Sequence, residues 1–364
     1  MSTVGVGIIG SQFAAGIHAE AFARVPDAEV RAAASPTQEH IRRFAEKHDI
    51  AKWFTDYRRL LALDEIDVVT LCVPNYLHCQ VTVDAAAAGK HVICEKPLCM
   101  NLLEADRMIE ACRAAGVKLM YGEELCFAPK YVRAKELVDE GAIGTVYMLK
   151  QSEKHDGPHA PWFWDVEKSG GGVTLDMGCH AFEFFRWVLG KPAALSVYAD
   201  MATYVQHDRT RGDDNSVIIV NFDGDVTCVA EESWAKKGGM DDRAELYGSE
   251  GVIYADLLRG NALLTFSDVG YGYAVEKAPM TRGWSFTAFE EIWNYGFPQE
   301  MQHFIDCVQN DREPLETGED GKAVLEMVFA AYESASTGAR VALPFATDAQ
   351  KPIDLWAAAA QRRS

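Results

Sequence analysis

The sequence predicts an α/β protein, with a doubly wound parallel sheet in its amino-terminal part. Its carboxy-terminal part is predicted to be an α+β domain with a large, mostly antiparallel open sheet. Three observations lead to this prediction: strand and helix patterns alternate over the first third, runs of neighbouring strands follow, and 364 residues are enough for two domains. We expect these domains at residues 1–122 and 123–345, with a tail at 346–364.

The first domain is predicted from five apolar runs of strand length. Strands are expected at 4–9, 28–34, 67–73, 90–95 and 117–121, and helices at 13–24, 37–48, 55–63, 77–88 and 101–115. Gly89 and Gly116 stand where two of these helices would end. Because a repeated strand, helix, strand order needs crossover connections, the strands are expected to be parallel and covered by helices on both faces.

The pattern changes after residue 122 to runs of neighbouring strands. Strand-like runs lie at 144–153, 195–205, 215–222, 226–234, 243–249 and 251–257, and helices are expected near 128–140, 176–189, 298–309 and 319–336. Glycine and aspartate turn signals separate several of the strands. Consecutive strands joined by turns favour an antiparallel sheet.

Charge and composition exclude several classes of protein. Asp and Glu total 54 against 35 Lys and Arg, a formal net charge of −19 that repels nucleic-acid phosphates and anionic membrane surfaces. Nine cysteines without a Cys-x-x-Cys spacing suit a reducing compartment, and no apolar stretch reaches the roughly 18 residues of a membrane span. The start shows no basic segment ahead of an apolar run, so we expect a soluble, cytoplasmic protein without nucleic-acid or membrane partners.

A glycine-containing loop after the first strand is the candidate phosphate site. Gly5, Gly7 and Gly10 match Gly-x-Gly-x-x-Gly, but the first two lie inside the strand and cannot cradle a phosphate. The useful loop is the one that leaves the strand and opens a helix, with Gly10, Ser11, Gln12, Phe13 and Ala14 as cofactor contacts. Gln12 stands where a glycine normally lets the backbone approach a pyrophosphate. The alternative is a structural turn without a ligand.

The end of the second strand bears on the choice between NAD and NADP. Ser35 stands where an NAD-selective site usually offers a carboxylate to the ribose, so no charge there repels a 2′-phosphate. Arg42 and Arg43 follow one or two helical turns later. They either contribute to NADP binding or face solvent, and both cofactors stay open.

Polar residues follow the third and fourth strands, where ligands bind in open α/β sheets. Pro74, Asn75 and His78 come after the third strand, and Glu95 and Lys96 come before a proline at the end of the fourth. All five are predicted cofactor contacts. A residue before proline has a restricted backbone, which would hold Lys96 in place as a catalytic group. A surface charge is the alternative.

Three glycines at 170–172 lead into a predicted helix that carries Asp176 and His180. Residues four apart share one face of a helix, and a histidine beside a carboxylate can accept a proton near neutral pH. We predict that both are catalytic and contact substrate; a structural hydrogen bond between them is the alternative.

The segment 153–164 combines polar and aromatic side chains, as a carbohydrate pocket requires. The predicted substrate contacts are Lys154, His155, His159, Trp162 and Trp164, together with Lys96, Asp176 and His180. A metal site is not predicted, because the histidine and acid spacing matches no compact metal motif. A packed aromatic loop is the other interpretation.

Together these residues resemble one family of proteins, the Gfo/Idh/MocA oxidoreductases, named for glucose-fructose oxidoreductase and inositol dehydrogenase. The resemblance spans about residues 4–340 and depends on an ordered set of motifs: the Gly10 loop with His18 after it, Pro74-Asn75 with His78, Glu95-Lys96-Pro97, and three glycines before Asp176 and His180. It implies a Rossmann domain that binds NAD or NADP, and a second domain that contacts substrate and whose sheet often forms the subunit interface. A homodimer or homotetramer is therefore expected.

The resemblance also implies an activity, the NAD(P)-dependent oxidation of a secondary alcohol on a sugar or cyclitol, or the reverse reduction. Lys96 matches the family's Glu-Lys-Pro lysine, Asp176 its substrate-site acid and His180 its proton-transfer histidine. Two positions depart from the family pattern. Gln12 replaces the middle glycine of the loop, which affects cofactor geometry, and Cys126 stands where many members have arginine, which affects the substrate subgroup.

The expected mechanism has His180 take the hydroxyl proton while Lys96 stabilises the developing oxyanion and Asp176 supports the imidazolium. These three residues are predicted to meet at one carbinol. Three other functions stay open: NAD-dependent glycosidase chemistry through transient oxidation, a non-catalytic nucleotide-sensing regulator, and a subunit of a larger assembly. A regulator would need none of these three side chains, which argues against it.

Overall fold

The apolar runs of the first third form a six-stranded parallel sheet in a computed structural model, which describes residues 3–259, 263–278, 281–288 and 290–356. Strands β1 to β6 are Val4–Ile9, Ala28–Ala34, Lys52–Phe54, Val68–Leu71, His91–Glu95 and Leu119–Gly122. Helices α1 to α5 are Phe13–Phe22, Gln38–Lys47, Tyr57–Leu61, His78–Ala87 and Leu102–Ala115. The strand order is β3-β2-β1-β4-β5-β6. All five predicted strands are present, and the three-residue edge strand β3 is an addition.

Strand β1 lies in the middle of this sheet, and all six of its residues are buried. A central parallel strand is covered on both faces, which explains its continuous apolar run. Gly5 and Gly7 serve packing here: a Cβ on Gly5 would collide with the Glu65 carbonyl, and one on Gly7 with the Leu60 side chain. The first two glycines of the literal motif therefore lie within the strand, as predicted.

The rest of the chain forms a larger, mostly antiparallel sheet with helices. Helices α6 to α12 are Pro129–Asp139, Val166–Ser169, Val173–Asp176, Gly178–Val188, Glu291–Asn294, Phe297–Gln309 and Gly318–Thr337. Strands β7 to β15 are Val146–Lys154, Ala194–Ala202, Asn215–Phe222, Val226–Ser233, Asp241–Gly248, Gly251–Asp256, Leu263–Ser267, Gly283–Thr287 and Val341–Ala342. Seven strands pair in the order β12-β11-β7-β10-β9-β8-β15, with β7 and β10 parallel, and β13 pairs with β14 separately.

The two faces of the seven-stranded sheet differ. Helix α9 packs against β7 and β10 on what we call the packed face. Along β7, Gln151 and Glu153 are buried, whereas Lys150 and Lys154 alternate with them and are half-buried. We call the side that carries these lysines the open face. Because side chains alternate along a strand, the odd-numbered residues in this part of β7 lie on the packed face and the even-numbered residues lie on the open face.

The described residues pack into two compact units whose boundaries differ from the predicted domains. The first unit comprises the chain up to Glu124 together with Gly296–Leu325, and the second comprises Leu125–Tyr295 and the chain from Glu326 onward. The segment 296–325, expected in the second domain, packs with the first because α11 lies against α1. The Tyr121 N–H donates a hydrogen bond to the Glu316 carbonyl at 3.1 Å, which holds the same segment.

The beginning of the predicted tail is ordered by packing in the second unit. Ile353 is buried, and its N–H donates to the Gly170 carbonyl at 3.1 Å. Residues 357–364 lie outside the described part of the chain. None of the helices within the described ranges has the length and apolar character that crossing a membrane requires.

Candidate functional site

The turn between β1 and α1 has the backbone that an anion site requires. Gly10 has φ +138°, its N–H donates to the Ala34 carbonyl at 2.8 Å, and a Cβ at this position would collide with the Cys72 carbonyl. Helix α1 then starts at Phe13, and the side chain of its N-cap, Gln12, makes no capping hydrogen bond. The start of a helix presents N–H groups of the kind that bind a phosphate, and the turn fits the pyrophosphate of a dinucleotide.

Two predicted cofactor residues meet two polar residues that follow β2. The Ser11 hydroxyl donates to the Ser35 hydroxyl at 2.8 Å, and Gln12 Nε2 lies 3.1 Å from His40 Nδ1. Gln12 is exposed and turned toward α2. His40 was not predicted, although it lies in the first turn of the helix after Ser35.

Arg42 and Arg43 are engaged on the surface of α2. Arg42 pairs with Glu39 and Glu46, and Arg43 pairs with Glu39 at 2.6 Å. Such exposed pairs three or four residues apart are ordinary features of a solvated helix. This geometry favours the solvent-facing interpretation over a role in binding a 2′-phosphate.

His78 links the ends of two parallel strands. Its Nε2 lies 2.9 Å from the Val73 carbonyl, and its Nδ1 lies 3.0 Å from the Pro97 carbonyl. Burial lowers the pKa of the imidazole, while these carbonyls oppose that shift. The ring is fully enclosed, so His78 supports the predicted cofactor edge from behind and has no open surface for a ligand. Asn75, also buried, begins a short 3₁₀ helix beside it.

Glu95 and Lys96 stand at the end of β5, as predicted. Lys96 is half-buried and is joined to Pro97 by a cis peptide bond. Glu95 Oε1 lies 2.6 Å from Nε2 of the buried His18, whose Nδ1 lies 2.7 Å from the Thr70 hydroxyl. Burial opposes a charge on His18, but contacts with Cys72 and Glu95 raise the pKa of its imidazole. The position of His18 after the Gly10 loop is the signal that could have placed it in this network.

The triple-glycine turn of the second unit is fixed by two distant side chains. A Cβ on Gly171 would meet the Tyr332 hydroxyl at 2.5 Å, and one on Gly172 would collide with the backbone of Asp213. The Gly172 N–H donates to the Tyr332 hydroxyl at 2.8 Å, and this hydroxyl donates to the Asp213 carboxylate at 2.5 Å. The Thr174 N–H also donates to Asp213, at 2.8 Å. The glycines are therefore required by close packing.

The single helix predicted to carry Asp176 and His180 is divided in two. Asp176 ends α8 and His180 lies in the first turn of α9, with Met177 between the two helices. The two residues therefore belong to separate short helices, although Met177 between them keeps a right-handed helical backbone. Both side chains are buried, with 7% of Asp176 and 2% of His180 exposed. The indole Nε1 of Trp234 donates to Asp176 Oδ2 at 3.1 Å.

Neighbouring residues of the predicted substrate segment lie on opposite faces of the sheet. Lys154 lies on the open face and pairs with Glu231 at 2.7 Å, whereas Glu153 lies on the packed face. Strand alternation explains why Lys154 does not share a face with its neighbour. His155 is buried, and His159 Nε2 lies 2.6 Å from Glu276.

The aromatic part of this segment forms a cluster. Trp162 stacks on Phe163 at 3.8 Å between ring centroids, and Trp164 meets the edge of Trp234 at 5.3 Å. The guanidinium of Arg209 lies 3.8 Å from the centre of the Trp164 ring, so that face of the ring is already covered. Sequence reasoning missed Trp234, Asp213 and Tyr332, because no local motif surrounds them.

Known proteins match nearly the whole chain. A family model described as the oxidoreductase family with an NAD-binding Rossmann fold matches residues 4–123, and a model of the GFO/IDH/MocA C-terminal domain matches residues 131–254. The chain is 30% identical over 332 residues to a myo-inositol 2-dehydrogenase of Thermotoga maritima, covering 90% of this chain and 95% of that one. It is 27% identical over 321 residues to a scyllo-inositol 2-dehydrogenase (NAD(+)) of Bacillus subtilis, covering 88% and 90%.

A solved structure agrees over a similar span. GenD2 from gentamicin A biosynthesis, in complex with NAD, matches with a TM-score of 0.89 and 30% identity, over 95% of this chain and 97% of that one. Together with the strand order, these matches confirm the predicted α/β fold class with its parallel and mostly antiparallel sheets.

Proposed function

The chain belongs to the Gfo/Idh/MocA family of oxidoreductases, and from that premise we propose that it transfers a hydride between NAD or NADP and a secondary hydroxyl of a sugar, cyclitol or related polyol. One observation carries the chemical part of this proposal. An acid and a histidine, Asp176 and His180, are both more than nine-tenths buried next to a turn that other side chains hold in place. Titratable groups in strongly altered surroundings cluster at functional sites, where burial tunes their chemistry.

The cofactor would be held chiefly by backbone groups of the first unit. Its pyrophosphate would accept hydrogen bonds from the turn at Gly10 and from the start of α1, with Ser11, Gln12, Phe13, Ala14 and Ser35 as neighbours. The edge formed by Pro74, Asn75, Glu95 and Lys96 would contact the nicotinamide half. When bound, the nicotinamide supplies the hydride acceptor or donor, and the protein supplies position and charge.

The proton chemistry is assigned to three side chains. His180 takes the proton of the substrate hydroxyl, because a neutral imidazole is a competent base near neutral pH. The Lys96 ammonium stabilises the negative charge that develops on the substrate oxygen. Asp176 stabilises the imidazolium that forms on His180. For the substrate we propose contacts with His155, His159, Trp162 and Trp164; Lys154 is left out because it pairs with Glu231 on the open face.

The decisive experiment is a screen of sugars, cyclitols, sugar acids and glycosides with each cofactor, following the absorbance of the reduced nicotinamide. We expect turnover with at least one polyol. Lys96→Met, Asp176→Asn and His180→Gln should each lower kcat by about 10² or more while cofactor affinity stays within about twofold. Normal turnover of His180→Gln between pH 6 and 9 would make His180 structural. Release of an aglycone from a glycoside would indicate glycosidase chemistry instead.

We also propose that the protein forms a homodimer or homotetramer through the open face of its seven-stranded sheet. Several large apolar side chains lie exposed there, including Tyr254 with 70% of its surface accessible, together with Tyr198, Val217 and Val252. An apolar face of this kind is typical of an interaction surface. Sedimentation should give a mass above one chain, and Tyr198→Glu with Tyr254→Glu should reduce it.

A reducing compartment suits the cysteines, and we place the protein in the cytoplasm. All nine cysteines lie within the described ranges and are free thiols, eight of them buried. Structural disulfides would be expected in an oxidising compartment. Thiol titration of freshly purified protein under denaturing conditions should therefore count nine free thiols per chain.

A further inference from the structure

A buried tryptophan of the second unit contacts the carboxylate of Asp176. Trp234 directly follows β10 and has no exposed surface. It packs with Val173 and Met177, the residues at the start of α8 and at the break before α9. Its indole Nε1 donates to Asp176 Oδ2 at 3.1 Å, a normal hydrogen-bond length. The ring thus both fills the space beside Asp176 and makes a polar contact with its carboxylate.

In this contact the indole is always the hydrogen-bond donor. The N–H group of Trp234 can donate a hydrogen bond but cannot accept one. It therefore stabilises an ionised Asp176 more than a protonated one, since hydrogen bonds to a charged group favour the charged form. Such a carboxylate is a weaker base than it would be without the indole. Because the surroundings are buried, little water is present to reduce the effect.

We propose that Trp234 is a positioning residue that keeps Asp176 ionised and oriented, so that His180 and not Asp176 receives the substrate proton. This inference rests on the proposed function, since it assigns roles within the same reaction. The role of Trp234 is carried out through Asp176; the indole itself contacts no reacting atom. The edge contact with Trp164, with ring planes at 66°, extends the same packing to the predicted substrate wall.

The first experiment is a double-mutant cycle on kcat. Trp234→Phe keeps an aromatic ring and removes the donor, and we expect kcat to fall about 10- to 100-fold with KM within about threefold, because a hydrogen bond to a charged group is lost. The acidic limb of the kcat profile should move to higher pH. In an Asp176→Asn background, where no charge remains to stabilise, the same substitution should have little further effect.

A purely structural role predicts other results. If Trp234 only fills space, its substitution lowers kcat equally in both backgrounds and leaves the pH limb in place, which would overturn the proposal. Trp187→Phe is the matched control for loss of a buried indole, because Trp187 is also buried and lies further along α9. We expect this control to change thermal stability without moving the pH limb.

A second measurement does not depend on activity. In ¹⁵N-labelled protein, the indole signal of Trp234, assigned by its loss in Trp234→Phe, should shift when Asp176 is replaced by alanine, while that of Trp187 should not. An unshifted signal would refute the Trp234–Asp176 contact whatever the enzyme does. A shifted signal in a protein that oxidises no polyol with either cofactor would instead refute the proposed function.

Discussion

The turn at Gly10 and the turn at 170–172 both depend on glycine, but different contacts hold them in place. Each leads into a helix, and in each a glycine is required because backbone lies where a Cβ would be. At Gly10 that backbone belongs to Cys72, which follows the neighbouring strand β4 of the same parallel sheet. At Gly172 it belongs to Asp213, and the Tyr332 hydroxyl that bonds the Gly172 N–H lies 160 residues away. The first turn follows from a repeating motif, and the second depends on distant side chains.

The two regions also differ in their electrostatics. The Gly10 turn offers uncharged backbone N–H groups, whereas the second unit buries carboxyl groups close to one another. Glu232, Glu153 and Asp242 occupy paired positions on the adjacent strands β10, β7 and β11, and all three are buried. Burial raises the pKa of Glu232 well above its usual range, and Asp242 adds to the rise. The stability of the second unit should therefore depend on pH more strongly than that of the Gly10 turn.

The largest expected effect tests how tightly the turn at 170–172 packs against Asp213. Gly172→Ala places a methyl group against Asp213, and we expect a loss of roughly 3 kcal/mol or more in the free energy of unfolding, because backbone atoms cannot move aside cheaply. Denaturant unfolding followed by tryptophan fluorescence measures it. A loss below about 1 kcal/mol would mean that the turn can open.

Gly10→Ala should cost a similar amount of stability and should also affect the cofactor. The φ of +138° is almost restricted to glycine and a Cβ would collide with the Cys72 carbonyl, so we expect a cost of about 3 kcal/mol and at least a tenfold loss of cofactor affinity by calorimetry. Gly16→Ala is the matched control in α1, because nothing lies within 4 Å of its Cβ position. That control should stabilise the protein by about 0.5–1 kcal/mol and leave affinity unchanged. Equal affinities in the two variants would contradict the assigned phosphate site.

The buried acid row predicts the direction of the pH dependence. A carboxyl whose pKa is raised in the folded state binds more protons there than in the unfolded chain, so its contribution to stability is lost as pH rises from about 4.3 toward the raised value. Between pH 5 and 8, Glu232→Gln should therefore lose less stability than the parent protein. The exposed Glu250→Gln is the control and should reproduce the parent curve. Parallel curves for parent and Glu232→Gln would show that Glu232 does not titrate in this range.

The smallest expected effect concerns the ribose end of the cofactor site. Ser35→Asp introduces a negative charge beside Ser11, and it should weaken NADP binding about 5- to 10-fold more than NAD binding through repulsion of the 2′-phosphate. Fluorescence titration with both reduced cofactors measures the ratio. An equal change for the two cofactors would place the ribose elsewhere.

Local patterns predicted most of the secondary structure, and the errors have physical causes. The five strands of the first third were found because central parallel strands are buried on both faces and read as continuous apolar runs. Strand β3 was missed because three residues at a sheet edge show no period. The break at Met177 was missed because apolar residues continue across it. Segment 296–325 was assigned to the wrong unit because its helix periodicity does not show which surface it packs on.

By itself, the sequence determined the parallel sheet, the Gly10 turn, the family and the residues around which chemistry is proposed, because each is encoded by short spacing or a repeated local pattern. Only the tertiary structure decided what surrounds them. It pinned the 170–172 turn with Asp213 and Tyr332, and it brought Trp234 to Asp176 from 58 residues away. Hydrogen bonds between side chains so far apart depend on how strands and helices pack, and that packing leaves no periodic trace in the order of residues.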